Sequence, residues 1–327
     1  MSFGTKAVVK ALAAICIFTG LIAASTAQSS NSIKPAASLS VVTKALSAAL
    51  DAKTLKGDTD PSLIHFPYSK PWLDYEGGML KAACDPQQFA RIAMHPVPCF
   101  YGLTQAHHTI VLFGDSFAGS WGPAVAIAAK SLGYRLAFFE FQGCLTPFVN
   151  PTPGLGETEA QVRLCIDWHR ALPAAVRKLH PVAILAANGT RDWGSADKNY
   201  ISGMMLAFNE MTLKSPSTTR IIIGTGPHLP ASGPMCVAAH PTDLRRCDFK
   251  YKPGTSNLAL ALTRDAAAAK AAHAKLIPTI QWQCLNGACP VVVHDFLVYI
   301  DADHITTAYS QWLSTLMTQA LRRSLSN

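Results

Sequence analysis

The stretch Thr109-Ile110-Val111-Leu112-Phe113 is β-branched and aromatic, stops at Gly114, and passes through Asp115-Ser116 into a segment with Ala124, Val125, Ile127 and Leu132 at helical spacing. A strand that ends at a glycine and turns at once into a helix puts its next side chains on the carboxyl edge of a sheet. Four further buried runs repeat the arrangement: Arg135 to Phe141, Val182 to Ala187, Arg220 to Gly224 and Lys275 to Trp282. Helical faces lie between them. Val162, Cys165, Leu172, Val176 and Leu179 mark a helix from about Glu159 to His180, which Pro181 stops. Ile201, Met204, Met205, Phe208 and Met211 mark a second, and an Ala-rich segment from Ser256 to Ala274 a third. Those methionines are read as core. Strands separated by helices predict an α/β chain, a flavodoxin-like three-layer α/β/α sandwich with about five parallel strands.

The ends of the chain carry other signals. Lys6 and Lys10 precede an apolar run from Ala11 to Ala24 and the small-x-small triplet Ser25-Thr26-Ala27. This predicts a signal peptide over residues 1–27, cleaved after Ala27, and export to the cell envelope or beyond. The run is short for a membrane span of about 20 residues. Residues 28–79 read as a lead-in, with a helix around Leu39 to Leu55 and a Pro-, Tyr- and Trp-rich wrapping arm from Pro61 to Gly78. The catalytic domain is expected over 80–327. A formal charge of +8, two units of it from Lys6 and Lys10, is spread without any Lys/Arg run interleaved with aromatics, so nucleic acid is not an expected partner.

Of nine cysteines, Cys16 falls in the leader. The others form four pairs of neighbours along the chain, Cys84 with Cys99, Cys144 with Cys165, Cys236 with Cys247 and Cys284 with Cys289. In an exported chain an even set of this kind predicts disulfides, and nearest-neighbour pairing is the economical reading. Zinc would need a matching histidine pair beside Cys284 and Cys289, and there is none. No G-x-G-x-x-G follows the first strand, so neither a metal nor a cofactor is expected.

Ser116 sits where a hydroxyl meets the first free amides of a helix, which can hold a developing oxyanion. A serine nucleophile also needs a base and a carboxylate to orient that base. His304 and Asp301, three residues apart near the far end of the chain, supply both. Asp303, the immediate neighbour of His304, is expected to point elsewhere, and Asp115 to bond loop amides beside the nucleophile. His107, His108, His228 and His294 read as surface or loop residues, and Trp121 and Trp193 as packing. The order Ser, Asp, His without a G-x-S-x-G elbow matches neither chymotrypsin-type, subtilisin-type nor α/β-hydrolase enzymes.

Gly114-Asp115-Ser116 together with Asp301-x-x-His304 resembles the SGNH (GDSL-type) hydrolase superfamily, above all the SGNH domain fused to bacterial acyltransferase-3 proteins. In that group the nucleophile segment runs Val-Val-Leu-x-Gly-Asp-Ser-His-Ala and then Trp-x-Pro-Ala-Leu. Here Val111 through Trp121-Gly122-Pro123-Ala124-Val125 is similar. So are Cys99-Phe100-Tyr101-Gly102, Cys144 with Pro147, and the tail from Cys284 through Cys289-Pro290 to Asp301-Ala302-Asp303-His304. The likeness spans about residues 80 to 320. It implies the SGNH hydrolase fold and a serine esterase or O-acyltransferase working on O-acyl groups, acetyl above all, of envelope or secreted carbohydrate.

Two departures stand out. Phe117 replaces the histidine that usually follows the nucleophile. Asn188-Gly189-Thr190-Arg191-Asp192 stands where the superfamily has Gly-x-Asn-Asp, whose Asn donates to the oxyanion. That donor is then Asn188 or Arg191, or the hole relies on the Ser116 and Gly143 amides. The resemblance implies an acylated carbohydrate or sugar acceptor as partner, and, without a membrane bundle in this chain, a separate acyl donor or membrane acyltransferase. A catalytically idle glycan-binding or scaffold protein with the same fold is the alternative.

Overall fold

The computed structural model describes residues 33–54, 93–149, 158–189, 197–213, 215–294 and 296–326. The expected leader, the wrapping arm, Cys84, Arg191, Asp192 and Trp193 lie outside the described residues. In chain order the strands are β1 (Cys99–Gly102), β2 (Thr109–Gly114), β3 (Arg135–Glu140), β4 (Ala183–Ala187), β5 (Thr219–Ile223), β6 (Phe249–Lys250), β7 (Lys275–Ile277), β8 (Ala288–Cys289), β9 (Val292–Val293) and β10 (Phe296–Leu297). The α-helices with described bounds are α1 (Leu39–Asp51), α2 (Ser116–Ser131), α3 (Glu159–Arg177), α4 (Asp197–Met211), α5 (Gly233–Ala239), α6 (Asn257–Ala271), α7 (Thr307–Trp312) and α8 (Ser314–Leu325).

The central sheet has the order β1-β3-β2-β4-β5-β7. β3, β2, β4, β5 and β7 run parallel. β1 adds an antiparallel edge against β3 that the sequence reading did not resolve. The chain leaves β2 toward β3 on one side and returns to β4 on the other, so a crevice opens at the carboxyl ends of β2 and β4.

Every residue of β2 is buried, and its side chains alternate between two cores. Ile110 and Leu112 join Val42 and Leu46 of α1, Ala124 and Val125 of α2, and Leu316 and Met317 of α8. Val111 and Phe113 join Cys165, Trp168 and Leu172 of α3, Met204 and Phe208 of α4, and Ala268 of α6. Burying one such aliphatic or aromatic side chain is worth about 1.5–3 kcal/mol, so a strand covered on both faces fixes the register of its neighbours. These are the three layers expected. α1 is a docked part of the domain, tied to it by the Ala36 amide, which donates to the Trp312 carbonyl.

Local signals set most helix boundaries. The Thr158 side chain caps α3 through a reciprocal box with Gln161, and Ser256 and Thr306 accept from the first-turn amides of α6 and α7. The C-terminal helical segment is broken into α7 and α8 at Leu313, where ψ is −1°. The fifth parallel strand stops at Ile277 rather than Trp282, because Pro278 ends it and Ile280–Trp282 forms a 3-10 turn. Cys144–Cys165, Cys236–Cys247 and Cys284–Cys289 are disulfides, as nearest-neighbour pairing predicts. Cys99 is disulfide-bonded as well. No helix among the described residues is long and apolar enough to cross a membrane.

Candidate active site

The end of β2 approaches β4 so closely that only glycine fits. A Cβ on Gly114, whose φ is +153°, would lie 2.1 Å from the Ala187 carbonyl oxygen. Asp115 then caps α2 and clamps three segments together. Its Oδ1 accepts from the Phe117 amide at 2.9 Å and its Oδ2 from the Gly189 amide at 3.1 Å. Its own amide donates to Thr146 Oγ1 at 3.2 Å, while the Thr146 hydroxyl donates to the Ala187 carbonyl at 2.7 Å. The nucleophile turn is thereby tied to the exits of β3 and β4. Asp115 is the amide-bonding residue that the sequence leads one to expect.

Ser116 is the first residue of α2, where a backbone N–H has no intrahelical acceptor. The turn after β3 brings Gly143 to the same edge, with the Phe141 amide donating to the Gly114 carbonyl at 3.0 Å. Among the described residues, nothing accepts a hydrogen bond from the Ser116 or Gly143 amide. Asn188 directly follows Ala187, the register partner of Gly114. Its side chain is turned into the scaffold: Oδ1 accepts from the Thr146 amide at 3.2 Å and Nδ2 donates to the Gly189 carbonyl at 2.6 Å. One of the two Nδ2 hydrogens remains for another acceptor.

The segment after Tyr299 brings Asp301 and His304 across to this edge. The Ile300 amide donates to the His304 carbonyl at 2.9 Å and closes the turn. Asp301 Oδ1 accepts from the amides of Asp303 and His304 at 2.7 and 2.8 Å, so the carboxylate is fixed before it meets the imidazole. Asp301 Oδ2 lies 2.7 Å from His304 Nδ1, and His304 Nε2 lies 2.7 Å from Ser116 Oγ. The three residues singled out from the sequence are thus brought into one hydrogen-bonded line. Asp303 pairs with His228 while staying near enough to His304 for its charge to be felt there. The loop carrying His228 braces this turn, as Leu229 and Gly233 amides donate to the carbonyls of Ala302 and Asp301.

Burial alone would pull the His304 imidazole down. The hydrogen bond and charge of Asp301, with the more distant charges of Asp303 and Asp115, outweigh it and hold its pKa above the ordinary value. Burial likewise pushes Asp301 up, but bonding and charge from His304 and the two backbone amides leave it below the usual carboxylate value. The line is therefore polarised to keep Asp301 ionised and to welcome a proton on His304.

Two neighbours flank this line, of which Glu140 was not legible in the sequence. Glu140, the last residue of β3 and the register partner of Gly114, has a buried Oε1 without a hydrogen-bond partner among the described residues. Burial raises its carboxyl to about 7, the Asp115 charge adding and the Gln142 hydrogen bond and His304 charge subtracting. The Phe117 ring, only 8% exposed, stands 4.6 Å from the His304 ring, centroid to centroid.

Trp121 is buried edge-on against Trp282, in keeping with packing. His107, His108, His228 and His294 are exposed. Among the described residues, two groups offer three metal-binding atoms within 4.8 Å of one another, Cys144–Cys165–His169 and Asp301–Asp303–His304. The two sulfurs of the first are spent on a disulfide, and both ring nitrogens of His304 in the second are engaged.

A sequence model described as an SGNH domain fused to AT3 domains matches residues 83–319. The chain belongs to this SGNH family. The chain is similar to several solved structures at low identity, and to the first of them at the level of a shared fold. The periplasmic domain of the lipopolysaccharide acetyltransferase of Salmonella ser. Paratyphi A is 17% identical, with 64% of this chain and 82% of that one covered and a TM-score of 0.51. Est24, a carbohydrate acetylesterase from Sinorhizobium meliloti, is 14% identical over 66% of this chain and 99% of its own, with a TM-score of 0.42. The aryl esterase of M. smegmatis is 13% identical over the same shares, also at 0.42. Comparison with the curated proteins finds no match. As an SGNH protein the chain is a serine esterase or O-acyltransferase.

Proposed function

We propose that this SGNH protein moves an O-acyl group, acetyl above all, of an envelope or secreted carbohydrate through an acyl-Ser116 intermediate. One observation carries the reading: Ser116 Oγ, His304 and Asp301 form a continuous hydrogen-bonded line at 2.7 Å per step, beside two amides that have no acceptor among the described residues. In the first half-reaction Ser116 Oγ attacks the ester carbonyl carbon and its proton passes to His304 Nε2. Asp301 stabilises the resulting imidazolium, and the Ser116 and Gly143 amides hold the oxyanion. Collapse breaks the bond to the sugar oxygen, which leaves as an alcohol with the proton from His304. In the second half-reaction water or a sugar hydroxyl adds to the acyl carbon and gives its proton to His304. Collapse then returns that proton to Ser116 and yields the acid or a new ester. Each oxyanion donor is worth about 3 kcal/mol of barrier. Asn188, with one hydrogen in reserve, is proposed as the third.

The carbohydrate substrate is supported by the family's fusion to AT3 domains and by the lipopolysaccharide acetyltransferase domain of similar fold. The disulfides and the predicted leader support an exported protein of the envelope. A membrane acyltransferase, or another separate donor, is the partner that transfer would require.

The test is a panel of acetylated sugars and a chromogenic acetate, each with and without an unacylated sugar acceptor. Wild type releases acetate or makes the new ester, and Ser116→Ala does neither. The appearance of ester on the acceptor decides for transfer over hydrolysis. Absence of both products from the folded wild type would overturn the proposal.

A further inference from the structure

The Ser116 amide takes its place from α2. Gly143 has no such support: among the described residues other than its chain neighbours, nothing stands within 4 Å of where its Cβ would be, and its φ is +74°. Its amide is therefore aimed by the chain on either side. On one side the Phe141 amide donates to the Gly114 carbonyl, and the Cys144 amide closes the turn on the Phe141 carbonyl at 3.1 Å. On the other side Cys144 and Leu145 are both held from α3. Cys165 bridges to Cys144, and His169, one helical turn further along the same face, donates from Nε2 to the Leu145 carbonyl at 2.7 Å. A carbonyl only accepts, so Nε2 carries the hydrogen. The imidazole is itself clamped. It is 7% exposed, its Nε2 lies 3.4 Å from Cys144 Sγ, and its ring is stacked at 4.5 Å on Phe148, whose amide donates to the Gly203 carbonyl of α4. Burial lowers its pKa to about 4, the Leu145 bond opposing, so the ring is neutral at neutral pH.

We propose that His169 is a positioning residue for the oxyanion: through the Leu145 carbonyl, and with the Cys144–Cys165 bridge beside it, it aims the Gly143 amide at the reacting centre. This rests on the reading of Ser116 as the nucleophile and of the Gly143 amide as an oxyanion donor. His169 lies outside the Ser116–His304–Asp301 line and exchanges no proton with it. What it supplies is alignment. An oxyanion donor acts by being in place before the charge develops, and a displacement of about 1 Å can cost about a hundredfold in rate. Without the Nε2 hydrogen, the Leu145 carbonyl loses its donor and the Gly143-Cys144-Leu145 segment is held from α3 by the bridge alone.

The test compares His169→Gln with His169→Asn and His169→Leu. A glutamine amide reaches the Leu145 carbonyl from the same Cα, an asparagine amide is one bond too short, and leucine has no hydrogen to give. kcat and KM for 4-nitrophenyl acetate are measured per active site. Sites are counted by fluorophosphonate labelling of Ser116 run to completion, so unfolded protein does not enter. Both half-reactions pass through an oxyanion and slow together, so the loss falls on kcat while KM stays. His169→Asn and His169→Leu lower kcat about tenfold to a hundredfold, and His169→Gln stays within about threefold of wild type. Either of the first two, if the other does not fold, carries the comparison. Wild-type kcat in His169→Asn or His169→Leu, an equal loss in His169→Gln, or a loss that appears in KM overturns the positioning role and leaves the nucleophile standing. A wild type that takes no label overturns the reading of Ser116, and the role of His169 with it.

Discussion

Replacing Glu140 by glutamine should make the protein's stability less sensitive to pH. The carboxyl ends β3 beside the Ser116 turn, has a buried oxygen without a partner among the described residues, and is raised from its ordinary 4.5 to about 7. Below pH 4.5 it is protonated whether the chain is folded or not, and contributes no pH dependence. Between 4.5 and about 7 the unfolded chain releases the proton while the folded one keeps it, so stability falls as pH rises. Above about 7 the loss is complete. At about 1.4 kcal/mol per pH unit, the full loss is about 3 kcal/mol. Glu140→Gln keeps the shape and removes the titration. Urea unfolding with disulfides intact, at pH 4.5 and at pH 8, gives the four stabilities needed. The variant should gain about 3 kcal/mol relative to wild type between the two pH values. Equal stability differences at both would refute the claim that Glu140 is buried against its charge.

Three further outcomes follow from the site. As the proposed base His304 works only when neutral, and its pKa is held above the ordinary value, so kcat/KM should fall on the acid side with a midpoint above about 6.5. Asp301→Asn removes the charge that raises it: the midpoint moves to lower pH, and the pH-independent rate drops by about four orders of magnitude. Gly189→Ala places a methyl inside the Phe117 ring and should cost about 1–3 kcal/mol in thermal or urea unfolding, with a loss of esterase activity; made in a Phe117→Ala background, the same substitution should cost almost nothing further, because the clash has gone.

The parallel strands were legible because each is an apolar run bounded by glycine, proline or a capped helix, and burial on both faces leaves such runs no other place. β1 was not, since four residues at a sheet edge with Phe100 exposed carry little pattern of their own. The apolar face of the C-terminal segment runs on across the break at Leu313, so periodicity alone does not separate α7 from α8. In the site, Asp301 and His304 were legible as a pair because one short turn carries both, and Ser116 because the strand-glycine-helix punctuation exposes it. Glu140 was invisible for the opposite reason. Its meaning depends on the β2–β3 register that sets it opposite Gly114. The inward turn of Asn188 depends likewise on the Thr146 amide, which only the folded β3 exit brings near.

The central claim is that Ser116 is a nucleophile activated by His304. Incubation of the full chain with a fluorophosphonate, followed by mass spectrometry of its peptides, tests it most directly. The account predicts one adduct, on Ser116, absent from Ser116→Ala and strongly slowed in His304→Ala. A folded wild type that carries no adduct, or carries it on another residue, would contradict it.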